Sequence, residues 1–311
     1  MKSEYFMSII LPTFRHAHEL DNTIYSLEYQ NGIDFCDYEI IIVNDDPKDS
    51  DTRAVAISYH QHYNNIRYIE VYDAKEIGIT NGNRGMNIGA RAAKGSILVL
   101  MIDSCRLVTP GILRKYRDQF KEHGFEICVT SSPFHIGKHY SDPSFTVQEC
   151  RDMMANLKWK EDPYRLFSVG AHTRITQTGI ITESTFQGMS KQNYMAINGM
   201  NEIFISWGTN NLDMWRRCTR SKPEGGKQEK DVPGKWGKVG LGLKVINLDD
   251  EASFHQHHGI YVPRDHGNFA RDNKMVWDQY NRLEECIICN LENPSWGRGR
   301  TKEINLSNID E

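Results

Sequence analysis

Two apolar runs in the first third of the chain close on carboxylates. YEIIIVNDD (Tyr38 to Asp46) ends in Asp45 and Asp46, and SILVLMID (Ser96 to Asp103) ends in Asp103, followed by Ser104 and Cys105. A carboxylate at a strand end can accept hydrogen bonds from a base N–H or a ribose hydroxyl, and it can ligate a divalent cation. Far downstream, FHQHHG offers His255, His257 and His258, imidazoles that suit a metal shell when a carboxylate faces them. A third stretch, ISWGTNNLDMWRR (Ile205 to Arg217), sets Asn210, Asn211 and Asp213 at what reads as a helix start. Asparagine caps helices well and a capped N-terminus favours an anion, whereas an amide cannot serve as a general base. Each group also has an ordinary reading: Asn-Asp-Asp-Pro makes a good turn, and a histidine-dense loop is common polar surface.

The elements that must position these groups alternate in type. FMSIIL (Phe6 to Leu11) is a short β-rich run ended by Pro12, and HELDNTIYSLEYQ (His18 to Gln30) carries Leu20, Ile24 and Leu27 at helical spacing. After the strand through Tyr38 to Asp46 come a helix through Thr52 to Tyr63, a strand at IRYIEVYD (Ile66 to Asp73), a Gly/Asn-rich turn, the helix MNIGARAAKG and the strand ending in Asp103. This β-α-β-α-β order predicts a parallel sheet with right-handed crossovers, whose ligands sit beyond the carboxyl ends of the strands. Asp45 and Asp46 are then placed for a nucleoside, with Pro12 to Arg15, Phe14 included, as a backbone wall beside them.

Composition narrows the classes. The 311 residues suffice for a large α/β core, and a formal net charge of −4 gives no long-range attraction to a polyanion, so nucleic acid is possible but not indicated. Seven scattered cysteines show no disulfide framework and fit a reducing compartment. The lone CxxC at Cys286 and Cys289 reads as the core face of a helix. No apolar run approaches the ~20 residues of a spanning helix, and the N-terminus lacks a signal-like core, so a cytoplasmic location is expected. The middle, Thr130 to Glu183, shows no clean periodicity; Arg220 to Lys238 reads as a loop; the tail reads as a helix (Met275 to Cys289) followed by a loosely held polar end.

Taken in order, IILPTFRHAHELDNTIYSL, YEIIIVNDDPKDSDT, MNIGARAAKGSILVLMIDS and the proline-marked helix start at Pro110 resemble the nucleotide-binding half of family 2 glycosyltransferases, which have the GT-A fold. GMSKQNYMAINGMNEIFISWGTNNLDMWRR is similar to the acceptor-side segment of the same superfamily, and FHQHHG to its late His-x-x-His element. The resemblance implies an α/β GT-A domain: a Rossmann-like, mostly parallel sheet flanked by helices, with a smaller acceptor-side sheet. It implies a nucleotide-sugar-binding half over residues 1–110, an acceptor-binding half over 111–270 and a C-terminal helix and tail over 271–311. The implied activity is transfer of a sugar from a nucleotide-diphospho sugar, expected to be a UDP-sugar, to a hydroxyl of a glycan, a protein or another acceptor, with Mn²⁺ or Mg²⁺ as cofactor. Asp46 would contact the base, with Pro12, Phe14, Arg15 and Asn87 on the donor side. Asp103 would ligate the metal with His258 or His255. Glu202 and Trp207 would line the acceptor side, and Gly208 to Asn211 would face the sugar.

Two positions depart from the family pattern. Where the family has Asp-x-Asp, this chain has Asp103-Ser104-Cys105, and a thiolate is a soft ligand poorly matched to Mg²⁺ or Mn²⁺. Where inverting members have Glu-Asp after Trp-Gly, it has Asn210-Asn211. WGTNNLDMWRR also resembles the Trp-Gly-Gly-Glu-Asn-Leu-Glu segment of polypeptide N-acetylgalactosaminyltransferases, which retain configuration and need no protein base on the acceptor. Retaining transfer is therefore expected, with Asn211 holding a sugar hydroxyl or the donor and Asp213 as reserve candidate for a base. The alternatives are a degenerate GT-A protein that binds a nucleotide sugar or glycan without turnover, and an enzyme whose acceptor is a modified DNA base.

Overall fold

The computed structural model describes residues 5–73, 82–138, 142, 144–172, 186–204, 210–219, 241–258, 289–291 and 293–307; within 210–219 the side chains at 211, 212, 215, 216 and 219 lie outside that description. The N-terminal half alternates as expected: β1 (Met7–Thr13), α1 (Ala17–Glu28), β2 (Tyr38–Asn44), α2 (Ser50–His60), β3 (Ile66–Val71), α3 (Gly82–Ala92) and β4 (Ile97–Met101). Then follow β5 (Arg106–Val108), α4 (Ile112–His123), β6 (Ile127–Ile136), α5 (Val147–Leu157), a 3₁₀ turn at Pro163–Ser168, β7 (Gly170–His172), β8 (Phe186–Ser190), α6 (Lys191–Ala196), α7 (Asn210–Thr219), β9 (Lys244–His255) and β10 (Thr301–Ile304).

These strands form one mixed sheet in the order β10-β3-β2-β1-β4-β8-β6-β9-β5, with β7 beside β6. β3, β2, β1 and β4 are parallel, with Ile9 opposite Ile40 and Val99. Beyond β4 the sheet turns antiparallel through β8, then β6 and β9 run parallel to each other and β5 closes the edge against β9. The order reverses between β1 and β4, which is the switch point where such sheets open a crevice.

Period-two alternation assigns the side chains to two helical layers. Ile9, Leu11, Ile40, Ile42 and Val99 pack under Leu20, Ile24 and Leu27 of α1 and Ile112, Leu113 and Tyr116 of α4. Ile10, Ile41, Val43, Leu98 and Leu100 pack on the other side against Met86 and Ile88 of α3, Tyr194 of α6 and Met214 of α7. Strands covered on both faces read as continuous apolar runs, which is why the sequence announced them. Gly89 lets α3 settle onto β1, since a Cβ there would press into Ile10 Cγ2 and lie 3.2 Å from Val43 Cγ2.

Three expectations are corrected. β1 runs through Pro12 to Thr13 rather than stopping at it. The middle segment, expected to show only short helical pieces and no clean periodicity, also carries a long strand among its described residues: β6 is ten buried residues with a bulge between Ser131 and Ser132 where β9 skips from Leu248 to Ala252, and α5 opens with a Thr146–Glu149 capping box. The tail is not loose over 293–307: β10 adds antiparallel to β3, Arg67 joins Glu39 to Glu303, and Trp296 is buried under the Arg91 guanidinium. The expected helix at 275–289 lies outside the described residues save for Cys289, which is buried and not helical. Among the described residues no helix is long and apolar enough to cross a membrane.

Candidate active site

The carboxyl ends of β1, β2, β4 and β9 meet at the switch point. At the β2 end, Asn44 Nδ2 donates to the Asp46 carbonyl at 2.9 Å and Asp46 N–H donates back to Asn44 Oδ1 at 3.0 Å, a tight turn that fixes the Asp46 side chain. Asp46 Oδ2 accepts from Arg15 Nε at 2.7 Å; the carboxylate side chain is 3% exposed and the arginine 49%. Arg15 thus covers a buried carboxylate from the solvent side. Its backbone sits at φ 57, a left-handed conformation that costs a non-glycine residue on the order of 1 kcal/mol. The guanidinium lies 5.0 Å from the Phe14 ring centroid, and Pro12 is buried below, close to Gly85 of α3.

At the β4 end, Asp103 Oδ1 accepts from the Cys105 N–H at 3.1 Å and Oδ2 from Arg106 Nε at 3.2 Å. The β5–β9 register sets Arg106 opposite His255, which brings the histidine end of β9 against this turn. His255 Nε2 is 4.0 Å from Asp103 Oδ2 and 3.2 Å from His258 Nε2, and His255 Nδ1 is 3.2 Å from His135 Nδ1. His16, at the N-cap position of α1, faces His258 with ring centroids 4.5 Å apart. One donor atom each from His16, Cys105 and His258 lie within 4.8 Å of one another. Gln256 fastens the three segments: its N–H donates to the Cys105 carbonyl, Nε2 to the Glu19 carbonyl, and Oε1 accepts from Asn22 of α1.

Burial sets the protonation states here. It lowers His16 to about 4, helped by His258 and opposed by Glu19, and it holds His255 well below the ordinary histidine range, with Arg106 and the neighbouring imidazoles acting the same way. Burial therefore favours the neutral form of both rings. Burial, then Asp103, pushes the Cys105 thiol well up. His257 is turned elsewhere: its N–H meets Cys150 Sγ and its ring packs on Phe145.

On the acceptor side the structure changes several assignments. Asp213, considered as a reserve base, is 1% exposed and pairs at 2.9 Å with both Nε and Nη2 of Arg217, itself 1% exposed. That carboxylate neutralises a buried guanidinium rather than facing an acceptor. Asn87, expected beside the donor, is fully buried on the inner face of α3; its amide donates to the Met200 carbonyl and Glu202 Oε1, and its carbonyl accepts from Tyr194 and Met200 N–H. It is a packing hub out of reach of a ligand. Glu202 accepts from Asn87 and the Gly297 N–H on Oε1 and from Asn293 on Oε2, so it anchors the C-terminal segment while lining an open cleft with Arg84, Arg298 and Arg300. Asn210 is buried, with its amide donating to Asn83 at 3.2 Å. Trp207, Gly208 and the Asn211 side chain lie outside the described residues.

His16, Arg106, His135 and Gln256 were not singled out from the sequence. Arg106 stands three residues after Asp103, a spacing that could have flagged the pair; the others have no local signal.

The family model described as glycosyl transferase family 2 matches residues 8–166, just over half of the chain. A second, described as the N-terminal domain of galactosyltransferase, matches residues 179–234. No curated protein matches. Among solved structures, S. aureus TarS 1-349 in complex with UDP superposes with a TM-score of 0.52 at 13% identity, over 80% of this chain and 59% of that one. The mannosyltransferase PcManGT from Pyrobaculum calidifontis, in complex with GDP-Man and Mn²⁺, superposes with a TM-score of 0.54 at 12% identity, over 91% and 66%. The chain spans less than two thirds of the length of either, and at such identities the likeness carries the fold alone, the GT-A type.

Proposed function

The chain belongs to glycosyl transferase family 2, and on that premise we propose that it moves a sugar from a nucleotide-diphospho sugar, a UDP-sugar, to an acceptor hydroxyl on a glycan, a protein or another molecule. The observation that carries this reading is the meeting of a covered carboxylate, Asp46 under Arg15, with Asp103 and a histidine cluster at one switch point. The UDP complex of the TarS structure supports the choice of donor, beside a second neighbour that holds GDP-Man.

Each residue then has a task. Asp46 accepts hydrogen bonds from the nucleoside once Arg15 turns away, and the freed guanidinium, at the entry to α1, meets the diphosphate. The wall formed by Pro12 and Phe14 bounds the base. A divalent cation fits the centre beside Asp103, because two imidazoles and a thiol converge there and the Asp103 side chain is 28% exposed. Asp103, His258, His16 and Cys105 would hold it, with His255 behind. Bound there, it would act as a Lewis acid on the leaving diphosphate.

For the acceptor we assign retention of configuration. Asp213 is committed to Arg217, and both Glu202 oxygens accept hydrogen bonds, so the two described carboxylates of this segment are engaged. An acceptor proton passing to the leaving phosphate needs neither. Asn211, with Trp207 and Gly208 before it, would hold the sugar.

The test is release of free nucleotide from a panel of nucleotide sugars with Mn²⁺, Mg²⁺, Zn²⁺ or a chelator, alongside Asp103→Ala, with the anomeric configuration of the product read by NMR. Metal-dependent release from one donor, lost in the variant, with retained configuration is the expected result. An inverted product removes the retaining assignment. Nucleotide binding without release from any donor, acceptors included, would favour the binding-protein alternative, for which the Arg106 guanidinium against Asp103 is the supporting contact.

A further inference from the structure

The cluster at the β4 end has an unusual donor set. A hard cation such as Mg²⁺ or Mn²⁺ is held by several oxygens, usually carboxylates. Here two carboxylates are near, and both are engaged: Glu19, 4.0 Å from His16 Nδ1, pairs with Arg151 at 2.7 Å, and Asp103 accepts from the Cys105 N–H and from the Arg106 guanidinium, whose positive charge opposes a cation at Oδ2. The atoms that converge on one another are two imidazole nitrogens and a sulfur, from His16, His258 and Cys105. Imidazole and thiolate suit zinc-class ions and match poorly to magnesium or manganese.

We propose that this centre selects a zinc-class ion, Zn²⁺ with Co²⁺ as its spectroscopic stand-in, through His16, Cys105 and His258, in place of the hard cation expected from the fold. The proposal rests on the reading that this crevice is the nucleotide-sugar site, and it names the cation of that site. A tetrahedral zinc ion, with Zn–N of ~2.0–2.1 Å and Zn–S of ~2.3 Å, holds two nitrogens and a sulfur about 3.3–3.6 Å apart. The three donor atoms now span up to 4.8 Å, so side-chain closure by about 1 Å completes the set. For a zinc-class ion Asp103, engaged by Arg106, stays outside the four-residue shell considered above, so three protein donors leave the fourth position of the ion to a diphosphate oxygen, the open arrangement of catalytic zinc sites. His255, 3.2 Å from His258 through the two Nε2 atoms and backed by His135, steadies the ring as outer partners of metal-bound histidines do. On binding, the Cys105 S–H bond breaks, the sulfur–metal bond forms and the proton leaves to solvent.

The backbone frame for this set is already rigid. Gln256 bonds the β9 end to the Cys105 carbonyl and to α1, and Thr23 of α1 donates to the Ser104 carbonyl at 2.7 Å. The three ligand-bearing segments are thus tied together by side chains that do not ligate.

The test uses the full chain, stripped of metal by a chelator and titrated with Co²⁺, with absorption recorded through the thiolate-to-cobalt charge-transfer and tetrahedral d–d regions. Zn²⁺, Mn²⁺ and Mg²⁺ are then added as competitors, and UDP binding is measured on the same samples. The expected result is one equivalent of tetrahedral cobalt with a thiolate band, displaced by Zn²⁺ and not by Mn²⁺ or Mg²⁺. Cys105→Ser removes the band, and His16→Gln keeps it while weakening Zn²⁺ by at least about tenfold. Cys36→Ser, which removes the one exposed thiol among the described residues, leaves both unchanged. A cobalt spectrum without a thiolate band, a band that survives Cys105→Ser, or displacement of Zn²⁺ by Mn²⁺ overturns the proposal. If UDP binds and sugar transfer runs on Mn²⁺ while no thiolate band forms, the zinc assignment fails and the transferase reading stands. If the band forms and no nucleotide or sugar donor binds, the metal centre stands and the transferase reading fails.

Discussion

Removing the Asp213 carboxylate tests whether that side chain holds the fold or performs chemistry. Arg217 lies at the centre of α7's buried face: Nε and Nη2 contact Asp213, and Nη1 donates to the carbonyls of Ile197 at 3.0 Å and Gly199 at 2.8 Å. Asp213→Ala leaves that guanidinium buried at 1% exposure without its counter-charge. Breaking a buried pair on one side costs about 3–5 kcal/mol, because the remaining charge is uncompensated. At roughly 2 °C per kcal/mol for a chain of this size, Tm should fall by about 6–10 °C. The assay is thermal unfolding by circular dichroism, read beside nucleotide release at a temperature where the variant remains folded. The turnover of that folded fraction should stay within a few-fold of the parent. The milder Asp213→Asn, which keeps an acceptor oxygen, should fall between the two in Tm. If Asp213→Asn melts with the parent and its turnover drops by about 10²–10⁴-fold, the range for a lost general acid or base, Asp213 is catalytic and the ion-pair argument is wrong.

Three further expectations follow from burial and contact. Burial pushes the Glu28 carboxyl up to about 7 against the hydrogen bond it accepts from Tyr38, so the folded protein keeps a proton that the unfolded chain loses above 4.5. Stability from this group therefore falls as pH rises from about 4.5 to about 7; Glu28→Gln should gain up to about 3 kcal/mol at about pH 8 and nothing near pH 4 in urea unfolding, and an equal gain at both would refute the linkage. Asn87→Ala should cost roughly 1–3 kcal/mol, because the buried Tyr194 hydroxyl loses the acceptor for its proton while the Met200 carbonyl keeps Asn290 as a donor, and the UDP Kd of folded protein stays unchanged; a weakened Kd at full stability would restore Asn87 to the donor site. Gly89→Ala should lose stability, since about 1–3 kcal/mol of overpacking against Ile10 exceeds the roughly 0.8–1 kcal/mol gained in helix propensity; a stabilised variant in denaturant melts would show that α3 can move away from β1.

Much of the N-terminal half was legible because its strands are buried on both faces and its helices on one. Ile40 to Val43 and Ile97 to Leu100 read as unbroken apolar runs, and Leu20, Ile24 and Leu27 mark the inner stripe of α1. β6 escaped the reading: Thr130, Ser131, Ser132 and Pro133 resemble a loop, yet they are buried and paired with β9, Thr130 also with β8, and the bulge absorbs the irregularity. β10 escaped for the opposite reason, since Thr301, Lys302 and Glu303 are exposed and become a strand through pairing with β3 and the Arg67–Glu303 contact. The Asp213–Arg217 pair, one helical turn apart, was readable as a salt bridge; only its burial was not.

By itself the sequence determined the order of strands and helices from β1 to β4 and the carboxylates at their ends, and hence the face proposed for a ligand, because apolar periodicity and chain order are local properties. Which side chains share that face was decided by tertiary structure. His16 meets Cys105 and His258 only because β1, β4 and β9 end at one edge of the sheet, and Asn87 misses the crevice because the phase of α3 turns it toward Met200. A polar side chain takes its role from the partner that burial imposes on it. In this site those partners come from segments remote in the chain, so spacing along the sequence carries no record of them.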